Sequence, residues 1–337
     1  MTTYQSSGVD IAAGTRANEL MADAVRSTHS SAVLAGLGAF GGCFDLAEAL
    51  GDEPIQRPIL VASTDGVGTK TLVAAALGRY DTVGQDLVNH CINDILAQGA
   101  RPLFFMDYIA MARLDPERAA ELVGGCAAAC RDAGCALLGG ETAEMPDVYH
   151  ADAFDLAGTI VGVVERAHML PRDVASGDAI LALPSSGLHT NGYSLARRVF
   201  GGRYDERPTE LGGQSIGEAL LAIHRPYLRE VTTLWEAGVP IRALAHITGG
   251  GLYDNLPRVL PGGLGAAIRR ESWDIPPIFD LLVEQGQLSE REAFHALNMG
   301  LGMLMVVPPD MADAALRALP EARLVGQVVP GDAVELV

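Results

Sequence analysis

The hydrophobic pattern alternates between short apolar runs of strand length and longer segments with helical spacing. In the longer segments apolar residues recur at intervals of three and four, as they do on one face of an α-helix. This alternation predicts an α/β protein in which helices cover mixed sheets. The predicted strands lie near 59–62, 103–111, 155–164, 179–183, 264–268, 302–307 and 323–329, and the predicted helices near 82–98, 115–133, 216–237, 276–297 and 310–319.

The first of these predicted helices has two chemically different faces. With Asp86 set at zero on a helical wheel, the apolar side chains fall between about 100° and 280°. His90, Asn93 and Asp94 fall beside Asp86, on the opposite side. A polar helix face is ordinarily solvated, but the carboxylate of Asp65 upstream favours a second interpretation. Carboxylate and amide oxygens from a loop and a neighbouring helix are typical ligands of Mg²⁺.

Two domains are expected, because 337 residues exceed what one hydrophobic core usually organises. Polar residues, prolines and glycines separate two apolar runs between Val164 and Asp178. We therefore place the junction near residue 170, which gives an N-terminal domain over 1–170 and a C-terminal domain over 171–337. No internal repeat of about 20–50 residues is evident, which argues against solenoids and propellers.

Charge and hydropathy narrow the classes of partner. The chain has 42 acidic and 24 basic residues, a net charge of −18, and no basic patch, so we expect neither nucleic acid nor an anionic membrane as partner. No apolar stretch approaches the roughly 18 residues that a membrane span requires. The N-terminus lacks the basic region and apolar run of a signal peptide, which predicts a cytoplasmic protein.

Five cysteines, an odd number, make a disulfide framework improbable. Cys126 and Cys130 are four residues apart on a predicted helix, a spacing that places two thiols on one face. No second pair of cysteines or histidines stands nearby to complete a metal site. Burial as small hydrophobic residues is the favoured interpretation.

The loop after the first predicted strand carries chemistry suited to metal-bound phosphate. Gly66 and Gly68 let the backbone approach a ligand, Lys70 supplies a positive charge, and Asp65 suits a hard divalent cation. Lys70 is also the only lysine of the chain. The glycine spacing fits neither a Walker A loop nor a dinucleotide fingerprint. An ordinary turn at the end of a strand is the alternative.

Other glycine-rich stretches combine close backbone approach with polar side chains. Residues 137–146 end an apolar strand in a glycine pair followed by Glu141. Residues 185–194 precede a helix, whose first N–H groups suit an anion. Residues 246–255 contain three consecutive glycines, which are costly unless the backbone must approach another group closely. Residues 36–42 are read equally well as a mobile cover over a nucleotide or as a plain linker.

Taken in order, these motifs resemble the phosphoribosylformylglycinamidine cyclo-ligase family, also called aminoimidazole ribonucleotide synthetase, of purine biosynthesis. The resemblance covers nearly the whole chain. It implies an N-terminal domain whose sheet pairs with its twin in a homodimer, ATP bound near that interface, and a C-terminal α/β domain that closes the cleft. The matching segments are Ser-Gly-Val-Asp-Ile at 7–11, Gly-Leu-Gly-Ala-Phe-Gly at 36–41, Thr-Asp-Gly-Val-Gly-Thr-Lys at 64–70, Asn-Asp at 93–94, Gly-Gly-Glu-Thr-Ala-Glu-Met-Pro at 139–146, Ser-Ser-Gly-Leu-His-Thr-Asn-Gly-Tyr-Ser at 185–194 and His-Ile-Thr-Gly-Gly-Gly at 246–251.

The resemblance also implies the reaction, in which ATP drives cyclisation of formylglycinamidine ribonucleotide to aminoimidazole ribonucleotide, with release of ADP and phosphate. It implies ATP and Mg²⁺ at the site. The implied Mg²⁺ ligands are Asp65, Asn93 and Asp94, and the implied ATP-binding residues are Gly66, Val67, Gly68, Thr69, Lys70, Gly139, Gly140 and Glu141. The implied substrate contacts are His189, Thr190, Asn191, Thr248, Gly249 and Gly250, and the implied catalytic residues are Lys70, Asp94, His189 and His246.

One segment departs from the family. Where relatives often carry a basic cluster, residues 26–31 read Arg-Ser-Thr-His-Ser-Ser and keep one firm positive charge. A phosphate clamp from this segment is therefore doubtful. Partial substitution by Arg26 or His29 is a hypothesis, which predicts a higher KM for ATP in Arg26→Ala.

The same architecture occurs in sister enzymes, and sequence separates them. Selenophosphate synthetases have a reactive cysteine or selenocysteine in an N-terminal glycine loop, which Cys43 imitates only superficially. The hydrogenase-maturation protein ends in a cysteine, whereas this chain ends in Val337. Thiamine-monophosphate kinase remains an alternative of the same class. A regulator that binds ATP without turnover is the alternative from another class.

Overall fold

The computed structural model describes residues 8–151 and 153–337. The chain forms two compact units. The first comprises the residues up to Ile95 together with Ala100–Arg166, and the second comprises Leu96–Gly99 together with Ala167–Val337. The main division therefore falls just before the predicted junction near residue 170. Ser7, the first residue of the motif at 7–11, lies outside the described residues.

The first unit is built on a four-stranded sheet with the order β3-β6-β4-β5. β4 and β5 are parallel, whereas β6 is antiparallel to both of its neighbours. A small antiparallel pair, β1 and β2, stands apart from this sheet. The strands are β1 Val33–Ala35, β2 Cys43–Phe44, β3 Pro58–Gly66, β4 Arg101–Met111, β5 Ala136–Glu144 and β6 Phe154–Glu165, and the helices are α1 Ile11–Arg26, α2 Leu46–Leu50, α3 Lys70–Leu77, α4 Asp81–Leu96 and α5 Pro116–Asp132.

Local sequence accounts for the start of α5. Asp115 caps the helix by accepting a hydrogen bond from the Arg118 N–H, and Pro116 occupies the first helical position, where its missing N–H is not needed. Cys126 and Cys130 are buried in this helix, and burial raises the pKa of both thiols well above the usual value. Both cysteines therefore pack as small hydrophobic residues, as the sequence predicted.

The two faces of the first sheet differ in exposure. Along β4, Phe105 and Ile109 are fully buried, while Met106 between them is 38% exposed. Leu60 on the edge strand β3 is 59% exposed, and β3 alternates between exposed and half-buried positions. Alternation of this kind shows a sheet with one face covered and one face open.

The second unit is built on a six-stranded sheet with the order β12-β9-β11-β7-β10-β8. Only the pairing of β12 with β9 is parallel among these strands. The strands are β7 Ala179–Pro184, β8 Ala243–His246, β9 Leu264–Ile268, β10 Leu301–Val307, β11 Arg323–Pro330 and β12 Val334–Leu336, and the helices are α6 Tyr193–Phe200, α7 Ile216–Leu220, α8 Leu228–Glu236, α9 Gly251–Asn255, α10 Pro277–Gly286, α11 Glu290–Ala296 and α12 Ala312–Ala318.

Each of the two longest predicted helices is broken in the structure. The segment predicted as one helix over 216–237 forms α7 and α8, because Pro226 in the break supplies no N–H and disfavours helical geometry in the residue before it. The segment predicted over 276–297 forms α10 and α11, since Gln287 adopts a left-handed conformation with φ of 52°. Ser289 then starts α11 by accepting a hydrogen bond from the Glu292 N–H.

The core of the second unit lies against the central strands of its sheet. Leu181 and Leu183 of β7 and Met303 of β10 pack with Val231 and Leu234 of α8, and all five are fully buried. These strands read as nearly continuous apolar runs, which is why the sequence predicted them. Among the described residues, no helix has both the length and the apolar character needed to cross a membrane.

Candidate functional site

Two predicted metal ligands of the first unit converge on one histidine. Asp65 lies near the end of β3, and Asp94 lies in the last turn of α4. The His90 Nε2 atom is 2.8 Å from Asp65 Oδ2 and 3.6 Å from Asp94 Oδ2. Ser63 Oγ donates a hydrogen bond of 3.0 Å to Asp94 Oδ2. The carboxylates predicted from separate motifs therefore form one cluster.

His90 balances the charge of this cluster. Its side chain is almost fully buried, and burial acts to lower its pKa. The hydrogen bond to Asp65 and the charges of Asp94, Asp65 and Asp86 outweigh burial, so that the pKa of His90 is raised overall. The sequence had placed His90 on the polar face of its helix without assigning it to the site. The signal for including it was that position, four residues before Asp94.

Most of the polar face of α4 is buried rather than solvated, with Asp94 partly exposed. Asp86 and Asn93 are fully buried, and His90 is 3% exposed. The apolar side chains of the opposite face are buried as well, so this helix is enclosed on both sides. The predicted ligand Asn93 therefore lies inside the first unit on the same helix as Asp94. Its role in metal binding stays a prediction.

Lys70 is the first residue of α3, and its side chain is fully buried. The Lys70 Nζ atom lies 2.7 Å from Asp86 Oδ2 on α4. Burial lowers the pKa of Lys70, and the charge of Asp86 and the hydrogen bond to it act in the opposite direction. The ammonium is thus held by a carboxylate inside the protein. Phosphate binding by Lys70 stays a prediction.

The loop between β3 and α3 has the tight geometry that its glycines allow. Gly68 has a φ of 53°, and its carbonyl accepts a hydrogen bond from Thr71 Oγ1. Val67 is fully buried, and Thr69 directly precedes α3. The Gly66 N–H donates to Asp65 Oδ1 over 2.7 Å. This hydrogen bond orients the carboxylate that also contacts His90.

A cavity of about 260 Å³ in the first unit lies between the helices α1 and α5 and the strands β4 and β5. The predicted ATP-binding residues Gly139, Gly140 and Glu141 line one side of it, and Gly38 lines another. Asp107 of β4 also lines the cavity although it is only 8% exposed, and burial raises its pKa to about 7. A Cβ atom on Gly140 would lie 2.4 Å from Asp107 Oδ1, so this position needs glycine. Sequence reasoning missed Asp107 because it lies within an apolar strand.

Residues 26–31, the segment that departs from the family pattern, form hydrogen bonds with β5. Thr28 Oγ1 accepts a hydrogen bond of 2.8 Å from the Leu137 N–H, and His29 Nε2 lies 3.0 Å from the Leu137 carbonyl oxygen. Arg26 lies on the surface, where its Nη1 atom is 3.6 Å from Asp23 Oδ1. His29 thus has a structural contact at the base of the strand that leads into Gly139.

The second unit contains a cluster of three buried histidines. His189 and His246 were predicted from their motifs, and His224 joins them from the break between α7 and α8. The rings of His189 and His224 stack with centroids 4.0 Å apart and planes 19° from parallel. The Nε2 atoms of His224 and His246 are 3.0 Å apart, and Thr190 Oγ1 lies 3.4 Å from His224 Nδ1. No glycine motif marks His224, so the sequence gave little signal for it.

The hydrogen bonding of His189 fixes its tautomer. Its Nε2 atom accepts a hydrogen bond of 3.2 Å from the Ser186 N–H. A ring nitrogen that accepts carries no proton, so the neutral imidazole carries its proton on Nδ1. His189 also has a φ of 61°, a left-handed conformation that is uncommon outside glycine. The backbone therefore holds this ring as a hydrogen-bond donor.

The two predicted substrate-binding stretches of the second unit, residues 185–194 and 246–255, lie in contact. A Cβ atom on Gly249 would lie 3.2 Å from Asn191 Oδ1. Asn255 braces the glycine turn by donating from Nδ2 to the carbonyl oxygens of Thr248 and Gly249 over 3.3 and 3.2 Å. Gly250 has a φ of 90°, which favours glycine. Asn255, which flanks the three glycines in the motif at 246–255, is thus a supporting residue of this turn.

The sequence family described as "AIR synthase related protein, N-terminal domain" matches residues 51–164, and its C-terminal counterpart matches residues 175–337. Phosphoribosylformylglycinamidine cyclo-ligase from Alkaliphilus oremlandii is 46% identical over 337 residues, covering 98% of this chain and 97% of that relative. The protein of the same name from Geobacillus kaustophilus is 47% identical over 339 residues, covering 97% and 96%.

Solved structures with lower identity show the same fold. Thiamine-monophosphate kinase from Stenotrophomonas maltophilia aligns with a TM-score of 0.69 at 20% identity, covering 94% of this chain and 95% of that one. Hydrogenase maturation protein HypE in complex with ATP aligns with a TM-score of 0.62 at 19% identity, covering 93% and 86%. Since the two family domains and relatives at 46–47% identity span nearly its whole length, the chain belongs to the phosphoribosylformylglycinamidine cyclo-ligase family.

Proposed function

We propose that this protein uses ATP to cyclise formylglycinamidine ribonucleotide to aminoimidazole ribonucleotide, releasing ADP and phosphate. The observation that carries the proposal is the convergence of Asp65 and Asp94 on His90 beside the glycine loop. Such a cluster suits the binding of a metal–nucleotide complex. Relatives that bear the cyclo-ligase name and match over nearly their whole length supply the choice of substrate.

The chemistry requires activation of an oxygen that leaves poorly. Transfer of the γ-phosphoryl group from ATP to the formyl oxygen, with release of ADP and loss of the formamide N–H proton, gives an iminophosphate. The amidine nitrogen then attacks the formyl carbon, loses its proton, and phosphate departs as the ring closes. The protein's task in this scheme is to position the reactants, neutralise charge and accept the amidine proton.

The carboxylates of the first unit fit a divalent cation. Asp65 and Asp94 have side chains 45% and 27% exposed, so both are accessible to an ion and to water. When bound there, Mg²⁺ supplies charge neutralisation to the phosphates of ATP. His90 compensates these carboxylates when its ring is protonated, so cation binding and His90 protonation oppose each other. Gly139, Gly140 and Glu141 on the cavity wall complete the proposed ATP-binding set.

Two histidines of the second unit have different proposed roles, His189 as a hydrogen-bond donor and His246 as a base. His189 is held with its proton on Nδ1, so it suits donation to an acceptor of the substrate. His246 Nε2 lies 3.0 Å from His224 Nε2, a contact in which either ring can supply the proton. We therefore assign His246 as the base that accepts the amidine proton. Asn191, Thr190 and the turn from Thr248 to Gly250 provide the remaining substrate contacts.

Release of ADP by the purified protein tests this proposal. Parallel reactions contain Mg·ATP with formylglycinamidine ribonucleotide, thiamine monophosphate or selenide. We expect turnover with the first substrate alone. Turnover with another substrate would assign the protein to a sister activity, and ATP binding without turnover would indicate a regulator.

Variants of the carboxylate cluster test the site. Asp65→Asn and Asp94→Asn remove one charge each with little change in shape, and we expect both to abolish turnover without loss of folding. Asp52→Asn makes the same change at an exposed position and serves as the matched control. Activity retained in either cluster variant would remove that residue from the metal site.

A further inference from the structure

We infer that His224 is a positioning residue that sets the tautomer of His246. The inference rests on the proposed function, because that function gives His246 the role of a base. His224 is fully buried and lies in a segment that none of the matching motifs includes. Its ring nitrogens contact Thr190 on one side and His246 on the other.

The short contact between the His224 and His246 rings requires that one proton lies between their Nε2 atoms. The Nε2 atoms of His224 and His246 are 3.0 Å apart, which is a hydrogen-bond distance. Two lone pairs at this distance would repel, and two N–H groups would clash, so one nitrogen donates and the other accepts when both rings are neutral. The tautomer of His246 is therefore linked to that of His224.

The Thr190 hydroxyl at the other end of this hydrogen-bonded chain can accept or donate, so two arrangements are possible. When His224 carries its proton on Nδ1, it donates to Thr190 Oγ1 and its Nε2 accepts from His246. His246 then has its proton on Nε2 and a lone pair on Nδ1, as a base requires. In the reverse arrangement His246 carries the proton on Nδ1 and has no lone pair there. We assign the first arrangement, in which Thr190 accepts, because only this arrangement gives His246 the lone pair on Nδ1 that its proposed role as a base requires.

A shared metal ion is a poor explanation of the three histidines. Their ring nitrogens lie within 4.8 Å of one another, close enough to suggest an ion site. A metal ion lies close to the plane of each imidazole that binds it. The rings of His189 and His224 are stacked 4.0 Å apart and nearly parallel, so one ion cannot lie in both planes. The cluster is therefore a hydrogen-bonding network in which His189 packs on His224.

Nuclear magnetic resonance of ¹⁵N-histidine in the full-length protein tests the inference directly. The His246 signals are assigned by their loss in His246→Gln. We expect wild-type His246 to be protonated at Nε2 and unprotonated at Nδ1 near neutral pH. His224→Phe keeps a stacked ring but removes both hydrogen bonds, and Thr190→Val removes the terminal acceptor with little change in shape. Both variants remove the constraint on the proton, so they should replace the single His246 tautomer with a mixture of the two, whereas Thr190→Ser should retain the wild-type spectrum.

Steady-state kinetics supplies the second readout. We expect kcat to fall by about 100-fold in His224→Phe, the lower end of the range of about 10²- to 10⁴-fold that general base catalysis contributes, while KM for Mg·ATP stays within about twofold. His168→Gln, a change at an exposed histidine, should leave both constants unchanged.

Two spectra would overturn the inference: wild-type His246 protonated at Nδ1, or a His246 tautomer that is the same in wild type and His224→Phe. If His224→Phe does not fold, the same comparison with Thr190→Val decides the matter. The spectra can be recorded on a protein that shows no turnover. Absence of cyclo-ligase activity would therefore reject the proposed function, while the His246 tautomer would still be measured independently.

Discussion

At the scale of single residues, the first unit places ionisable groups where water is scarce. Lys70 and Asp86 are both fully buried and 2.7 Å apart. A buried ion pair is weak evidence for stability, but removal of one partner leaves a charge without compensation. Asp107 is a second buried group, and it faces a cavity instead of a cation. These positions carry the clearest predictions for single substitutions.

Lys70→Met is expected to destabilise the protein by about 3–5 kcal/mol, because Asp86 then remains buried with its cation removed. Urea denaturation followed by circular dichroism measures this loss. The double variant Lys70→Met/Asp86→Leu should regain most of the stability, since neither charge remains. If the stable double variant also fails to bind ATP, Lys70 has a role beyond packing. Equal stability of wild type and Lys70→Met would contradict the burial of the pair.

Asp107→Asn is expected to flatten the dependence of stability on pH. The folded-state pKa of Asp107 is raised from 3.8 to about 7 by burial, so the folded protein binds more protons than the unfolded chain between these values. Stability contributed by Asp107 therefore falls as pH rises through this window. At about 1.4 kcal/mol per pH unit, the wild type loses at most about 4 kcal/mol relative to the variant by pH 8.

Chemical denaturation of wild type and Asp107→Asn at pH 4, 6 and 8 measures this difference. The two curves should separate with increasing pH, with the variant the more stable at pH 8. Asp52→Asn should follow the wild type at each pH, since Asp52 is exposed. A constant difference across the three pH values would show that Asp107 does not titrate in this window.

At the scale of elements, two glycines set the separation of α4 and α5. A Cβ atom on Gly84 would lie 2.1 Å from the Leu122 carbonyl oxygen, and one on Gly125 would lie 2.7 Å from the Asp81 carbonyl oxygen. Both obstacles are backbone atoms, which cannot rotate away as a side chain does. Because α4 carries His90 and Asp94, the spacing of this helix pair bears on the candidate site.

Gly84→Ala should therefore destabilise the protein by about 3 kcal/mol or more, at the upper end of the range for overpacked cores. Gly124→Ala is the matched control, since Gly124 precedes Gly125 in α5 and a Cβ atom there meets nothing within 4 Å. Alanine favours helix over glycine by about 1 kcal/mol, so the control should be neutral or slightly stabilised. Similar thermal denaturation curves for the two variants would contradict the close helix contact.

Sequence patterns predicted the elements that depend on local periodicity. The β4 and β6 runs and the helices α4 and α5 form where apolar spacing indicated them. The breaks at Pro226 and Gln287 were missed because apolar spacing continues across them on both sides. In the site, the glycine loop indicated Asp65, and the polar face of the predicted helix indicated Asp94. His224 and Asp107 were missed because only tertiary packing brings them to their partners.

At the scale of the whole molecule, the open face of the first sheet presents apolar side chains to solvent. Leu60 is 59% exposed and Met106 is 38% exposed. Exposed apolar side chains on a sheet face often mark a protein interface. We propose that this face pairs with a second copy of the chain in a homodimer, as the family resemblance implied.

Leu60→Asp is expected to convert the dimer to a monomer, because it introduces a charge at the proposed contact. Sedimentation velocity of the wild type and the variant measures the change in mass. Leu324→Asp makes the same substitution at a partly exposed leucine of the second unit and should remain dimeric. A wild type that sediments as a monomer at micromolar concentration, or a dimeric Leu60→Asp, would contradict the assignment of this face.

The fate of one oxygen atom tests the central claim most directly. Formylglycinamidine ribonucleotide labelled with ¹⁸O at the formyl oxygen is incubated with the protein and Mg·ATP, and the released phosphate is analysed by mass spectrometry. If the γ-phosphoryl group is transferred to that oxygen before ring closure, each phosphate carries one ¹⁸O atom and aminoimidazole ribonucleotide forms in equal amount. Unlabelled phosphate, or ADP formed without ring closure, would contradict the proposed reaction.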